Sequence, residues 1–221
     1  MNTLETKNTT AGYLELILGP MFSGKTTNTI QIYNSYKYIG KKICVINYIG
    51  DTRYHEFMLS SHDKVMIPCT LVKTISEIWK DGEHEEYKNI READVIIINE
   101  GQFFDDLFEM VLEMVEQFQK IVFICGLDGD FNREKFGNLI DLIPYSDKIT
   151  KLNALCSQCR DGTKGIFTNR ISGEQSQTLK TPKSSSEFFA SVSSPTPPCS
   201  KIVIGVDNYR SLCRKCYLEQ R

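Results

Sequence analysis

The sequence has no large excess of either charge and no long apolar run, and each absence removes a class of function. A net charge of −2 and a pI near 6.0 leave it without the basic footprint of a nucleic-acid-binding protein. Its first residues, MNTLETKNTTAG, lack the apolar core of a secretory signal, and no later stretch approaches the roughly 20 apolar residues of a membrane span. The expectation is a cytoplasmic protein with no membrane and no nucleic-acid partner. What is present is ordinary for a globular chain: 41% hydrophobic and 24% charged residues in a length of 221, enough for one full core and a small appendage.

One stretch organises the rest. Gly19-Pro20-Met21-Phe22-Ser23-Gly24-Lys25-Thr26 fits the phosphate-binding pattern Gly-x-x-x-x-Gly-Lys-[Ser/Thr] at every constrained position. The apolar run before it, LELIL at 14–18, suits a buried strand, and a helix is expected over 24–39 with Ile32, Tyr36 and Ile39 toward the core and Gly40 at its stop. Glycines let the backbone curl so that N–H groups converge on a phosphate, the helix begins with its positive dipole end, Lys25 adds a full charge, and Thr26 offers a hydroxyl to Mg²⁺. Residues 19–27, with Thr27 as the last, are the expected nucleotide contacts.

Further strands are expected at 42–48, 93–98, 120–125 and 148–152, with a short one at 65–67. Helices are expected at 74–80, 84–91 and 105–118, the last burying Leu107, Val111, Val115 and Phe118 and exposing Glu109, Glu113 and Glu116. Alternating strands and helices imply an α/β domain with a mostly parallel sheet, whose ligands bind beyond the carboxyl ends of the strands. The 19–26 loop, Asp51, Glu100 and the turn at 126–131 all fall at such ends. A carboxylate at Glu100 suits a general base that takes a hydroxyl proton, although a cap for the following helix is the other use of an acid there.

Beyond residue 152 the composition changes. Residues 172–200 contain nine Ser, three Thr and four Pro, too little apolar surface to offset ordering, and are expected to be a flexible insertion before a short strand at 201–206. On either side of it lie Cys156-x-x-Cys159 and Cys213-x-x-Cys216, two matched pairs that suit a structural Zn²⁺ with all four ligands sulfur. Incidental cysteines or a redox pair are the alternatives. Cys44, Cys69 and Cys125 are read as small buried hydrophobes.

Together, the 19–26 loop, Asn99-Glu-Gly-Gln-Phe-Phe104, Leu127-Asp-Gly-Asp-Phe131, Asp51-Thr-Arg-Tyr54, Ser61-His-Asp-Lys64 and Tyr209-Arg-Ser-Leu-Cys-Arg-Lys-Cys-Tyr217 resemble the thymidine kinases of the cytosolic, zinc-bearing type, in order from about residue 14 to 217. The resemblance implies ATP-dependent phosphorylation of the thymidine 5′-hydroxyl by a RecA-like P-loop domain, residues 13–152, with a zinc-binding lobe at 153–217 and tails at 1–12 and 218–221. It implies a homotetramer. It makes Glu100 the base and sets Lys25 and Arg53 by the transferred phosphate, with Mg²⁺ at Thr26, Asp51 and Asn99. Met21, Phe103, Leu127, Phe131 and Phe136 become pocket residues, and Val203, Ile204, Gly205, Val206 and Tyr209 a lasso-like loop over the base.

Two positions depart from the family. Asn99 stands where Asp is usual, and an amide oxygen is the weaker Mg²⁺ ligand, so either transfer is slower or Asp51 carries more of the metal. The segment Ile204-Gly205-Val206-Asp207 has one glycine where the family often has two. The competing functions are a P-loop ATPase whose Cys₄ lobe binds nucleic acid, and a weakly active kinase homologue.

Overall fold

A computed structural model describes residues 11–51, 58–60, 65–80, 88–171 and 208–220. Arg53, the lasso residues 203–206 and the insertion at 172–200 lie outside the described residues, as do the 201–206 strand, positions 84–87 of an expected helix and most of the N-terminal tail.

Six strands form the central sheet, all parallel: β1 (Tyr13–Leu18), β2 (Ile43–Tyr48), β5 (Thr70–Val72), β6 (Val95–Ile98), β7 (Ile121–Gly126) and β8 (Lys148–Lys151), in the order β5-β2-β6-β7-β1-β8. The antiparallel pair β3 (Met58–Ser60) and β4 (Met66–Pro68) is not hydrogen-bonded into it but buries Leu59 and Ile67 in the core on one of its faces. The two-residue period of the strands divides the core in two. Leu14, Leu16, Ile46, Ile96, Ile98, Val122 and Ile124 face α2 (Ser76–Trp79), α3 (Lys88–Glu92) and α4 (Leu107–Leu112), the last continuing into a π-turn at Glu113–Gln117. Ile17, Val45, Val95, Ile97, Phe123 and Cys125 face α1 (Lys25–Tyr38). Burial on both faces is why these strands read as unbroken apolar runs.

Helix faces correct two expectations. In α1 the buried positions are Lys25, Thr29, Ile30 and Tyr33, whereas Ile39 is 62% exposed and Ile32 and Tyr36 are only half-buried. The phosphate loop sets the rotation of this helix, turning two polar residues of its first turns onto the sheet. In α4 and its π-turn, Phe118 is 43% exposed and packs edge-on against Trp79, while Glu113 is half-buried and accepts the Trp79 indole N–H at 2.9 Å.

The remaining strands build a small lobe: the two-residue pair β9 (Ala154–Leu155) and β10 (Lys164–Gly165), and the hairpin of β11 (Phe167–Arg170) and β12 (Tyr209–Leu212), followed by α5 (Arg214–Leu218). Among the described residues, no helix is long and apolar enough to cross a membrane.

Helix α2 begins without a cap of its own and borrows one from a distant segment. The Asp106 carboxylate accepts the backbone N–H groups of Ile75 at 3.1 Å and Ser76 at 2.7 Å. Asp106→Ala is expected to cost about 1 to 2 kcal/mol of stability, read as a lower urea midpoint at unchanged slope.

Candidate active site

The phosphate loop leaves β1 at Leu18 and closes at Gly24, whose φ of +85° suits glycine far better than a residue with a side chain. Asn28 N–H then bonds to Gly24 O at 3.0 Å and α1 is under way. Lys25 is buried, and its Nζ reaches the Gly19 and Pro20 carbonyls at 3.1 and 2.8 Å, folded into the loop it would share with a phosphate. Ser23 Oγ is buried with no hydrogen-bond partner among the described residues. An orphaned hydroxyl in a loop of this pattern is a group that a polyanion would satisfy.

Parallel register sets the neighbouring strand ends beside this loop: Leu18 pairs with Gly126, Ile98 with Ile124, and Ile46 with Ile98. Beneath the edge lies a buried polar chain. Thr29 Oγ1 donates to Cys125 Sγ at 3.1 Å, the Cys125 thiol donates to Asn99 Oδ1 at 2.9 Å, and Asn99 Nδ2 donates to Asn47 Oδ1 at 2.9 Å. Burial pushes the Cys125 thiol up to about 11, outweighing the Thr29 hydroxyl, which works to lower it, so the sulfur keeps its proton and remains a donor. Cys125 is therefore more than the small hydrophobe expected of it. Helix α1 and strands β2, β6 and β7 are tied together through one amide, that of Asn99, which is 2% exposed.

Glu100 follows with φ 53° and ψ 45°, a left-handed conformation that few residues with a side chain adopt. It leads into a 3₁₀ turn at Gly101–Phe103, and its side chain makes no capping bond there, which removes the capping use of this acid. The carboxylate is instead held by Gln102, whose Nε2 donates to Glu100 Oε2 at 2.6 Å. Gln102 Oε1 accepts the Leu127 N–H at 3.1 Å, joining the ends of β6 and β7. Asp51 is buried past the end of β2, its N–H bonded to Tyr48 O at 2.9 Å.

Of the expected pocket residues, Phe103 and Phe136 meet edge to face with ring centres 5.3 Å apart, and Tyr48 stacks on Phe103 at 5.2 Å. Phe131 lies beneath the Arg170 guanidinium at 5.6 Å, and Tyr209 pairs with Arg170 across β11 and β12. Phe131 O accepts the hydroxyl of buried Tyr217 at 2.7 Å. Met21 is clamped between the same two strands: its N–H bonds to Thr168 Oγ1 at 3.0 Å, and its carbonyl accepts the Ser211 hydroxyl. Thr168 and Ser211 are a cross-strand pair. The small lobe thus grips both the phosphate loop and the segment at Phe131.

The sulfurs of Cys156, Cys159, Cys213 and Cys216 lie within 4.8 Å of one another. Cys159 Sγ is 3.7 Å from Cys213 Sγ and 3.4 Å from Cys216 Sγ, close to the edge of about 3.8 Å in a tetrahedron of zinc–sulfur bonds. No disulfide joins any two of the four. Although burial works against it, the backbone N–H groups of Cys159, Cys213 and Gln158 lower Cys156 to about 6, favouring the thiolate a metal needs.

Thr29, Asn47, Gln102, Thr168, Ser211 and Tyr217 were not singled out from the sequence. Gln102, Ser211 and Tyr217 fall inside the quoted motifs; Thr29, Asn47 and Thr168 carry no local signal, because their partners are brought to them by the fold. Asn99→Leu keeps the branched shape but strands Asn47 and the Cys125 thiol, and is expected to cost about 2 kcal/mol or more in urea unfolding.

The thymidine kinase family model matches residues 12–217. A thymidine kinase of sheeppox virus (strain KS-1) is 34% identical over 206 residues, 93% of this chain and 97% of that protein. One from Yaba monkey tumor virus (strain VR587) is 34% identical over 212 residues, covering 96% of this chain and 98% of the relative. Thymidine kinase a of Arabidopsis thaliana is 31% identical over 208 residues, 94% of this chain and 76% of the plant protein. With a P-loop at the edge of a parallel sheet, a carboxylate at the end of a neighbouring strand and a four-sulfur lobe bonded to the loop through Met21, this chain belongs to the thymidine kinase family.

Proposed function

We propose that the chain transfers the γ-phosphoryl group of ATP to the 5′-hydroxyl of thymidine, giving thymidine monophosphate and ADP. The observation that carries this reading is the placement of Glu100. Its carboxylate is held at the end of β6 by Gln102 rather than spent on a cap, on the strand edge that also bears the phosphate loop.

The donor triphosphate lies in the 19–27 loop, where backbone amides, the Lys25 ammonium and the orphaned Ser23 hydroxyl answer its charge. Lys25 exchanges its bonds to the Gly19 and Pro20 carbonyls for phosphate oxygens. Thr26, Asp51 and Asn99 would hold Mg²⁺, which when bound neutralises charge on the phosphates. An Asn99 amide already joined to Cys125 and Asn47 favours Asp51 as the stronger of these ligands. Glu100 takes the proton as the 5′-oxygen attacks phosphorus, and the bond from phosphorus to the ADP oxygen breaks. Phe103, Leu127, Phe131 and Phe136 wall the nucleoside, with Met21 and Tyr209 beside them. Arg53 near the phosphate and residues 203–206 over the base complete the site on the strength of the family resemblance.

A Zn²⁺ fits the four-sulfur cluster by donor set and spacing, and with every ligand from protein it would be structural. The same reading takes residues 13–152 as the P-loop domain and 153–217 as the zinc and lasso lobe, and the protein as a cytoplasmic homotetramer without a nucleic-acid partner.

Glu100→Gln is expected to lower thymidine turnover by at least about 10²-fold while leaving ATP binding by calorimetry unchanged; near wild-type turnover would remove Glu100 from the base role. Metal analysis of the purified protein is expected to find about one zinc per chain. Cys213→Ser is expected to lose that metal and, through the released Met21 clamp, to weaken ATP binding. Full ATP affinity in the metal-free variant would separate the lobe from the donor site.

A further inference from the structure

Gln102 is buried at 3% exposure, in a place where a methionine or leucine would fill the space without the cost of desolvating an amide. Both ends of that amide are spent on the site. Nε2 donates to the Glu100 carboxylate at 2.6 Å, and Oε1 accepts the Leu127 N–H at 3.1 Å. Room for it is made by an absent side chain: a Cβ on Gly126 would stand 2.3 Å from Gln102 Oε1. The Gln102 backbone is packed as closely, since a Cβ on Gly137 would lie 2.2 Å from its carbonyl oxygen. Two glycines, one ending β7 and one in the chain that follows it, therefore shape the seat of this one residue.

A glutamate side chain has three rotatable bonds, and a base must meet its proton within about 3 Å along a usable direction. Glu100 gains direction from two sources: its left-handed backbone, which turns it off the strand, and the Gln102 amide, which fixes one carboxylate oxygen. Because the same amide holds Leu127, the base and the acceptor-side loop are set at a constant spacing. We propose that Gln102 is a positioning residue for the transfer, orienting Glu100 against the acceptor loop; this rests on the reading of Glu100 as the base. Its effect belongs to the chemical step, not to the donor loop, to which the Gln102 amide makes no bond.

The test is Gln102→Met, which keeps the volume and removes both hydrogen bonds, made alone and in the Glu100→Gln background, with thymidine, ATP and Mg²⁺. Alone, it is expected to lower kcat by about tenfold or more with the KM for ATP unchanged. In the Glu100→Gln background, the same change is expected to alter the residual turnover by less than about twofold, since a residue acting through Glu100 has nothing left to orient. Wild-type kcat, or the same loss in both backgrounds, would overturn the proposal and leave Gln102 a fold residue. If Gln102→Met does not accumulate as folded protein, Gln102→Asn, which retains the amide but falls one methylene short, is expected to give the same pattern. Rapid turnover by Glu100→Gln alone would overturn the base assignment and this inference with it. That failure is recognisable before Gln102 is changed.

Discussion

The amide of Asn99 sits where three strands and a helix meet, and the arrangement at the edge of the sheet depends on it. Main-chain pairing of β2 with β6 continues one step past the strand through the Asn99 N–H to Ile46 O, at 2.9 Å. Its side chain continues the tie in both directions, to Asn47 on β2 and to Cys125 on β7, and through Cys125 to Thr29 on α1. A buried polar chain of this kind is costly if half-satisfied and rigid when complete. Here it levels the strand ends, so that the phosphate loop and the residue after Asn99 open onto one edge.

That next residue is Glu100, and its strained backbone makes sense on a rigid base. A left-handed glutamate costs of order 1 kcal/mol and persists only where its surroundings determine it. Asn99 fixes the residue before it, and Gln102 fixes the carboxylate after it. The small lobe applies the same principle from the other side. Thr168 and Ser211 hold Met21 in the phosphate loop, and Tyr217 holds Phe131, from a lobe whose own core is largely cysteine. So small a core would gain stability from a metal ion held by the four cysteines, which lie within 4.8 Å of one another.

The sequence revealed most where chemistry restricts residue choice or burial is two-sided. The phosphate loop was legible from its fixed positions, and strands β6 and β7 from apolar runs buried on both faces. The inward face of α1 was not, because the loop turns polar Lys25 and Thr29 onto the sheet and leaves Ile39 outside. Strand β5, three residues long, was missed although it pairs with β2, and β9 to β12 were missed because their partly polar strands are organised by cysteines and hydroxyl clamps. The place of Glu100 after β6 and the meeting of the four cysteines were legible from position and spacing. Gln102 lay in a quoted motif without a role, since only the pairing of β6 with β7 brings Leu127 to its amide.

The central claim is that this edge moves a phosphoryl group from ATP to a pyrimidine deoxynucleoside. It is tested most directly by incubating the purified chain with ATP and Mg²⁺ and a panel of nucleosides, and following monophosphates and ADP together. Thymidine is predicted to give its 5′-monophosphate with ADP rising in step, and purine nucleosides to give little. ADP formation that ignores the nucleoside, or that single-stranded DNA stimulates, would contradict the account and point to a nucleic-acid-dependent ATPase.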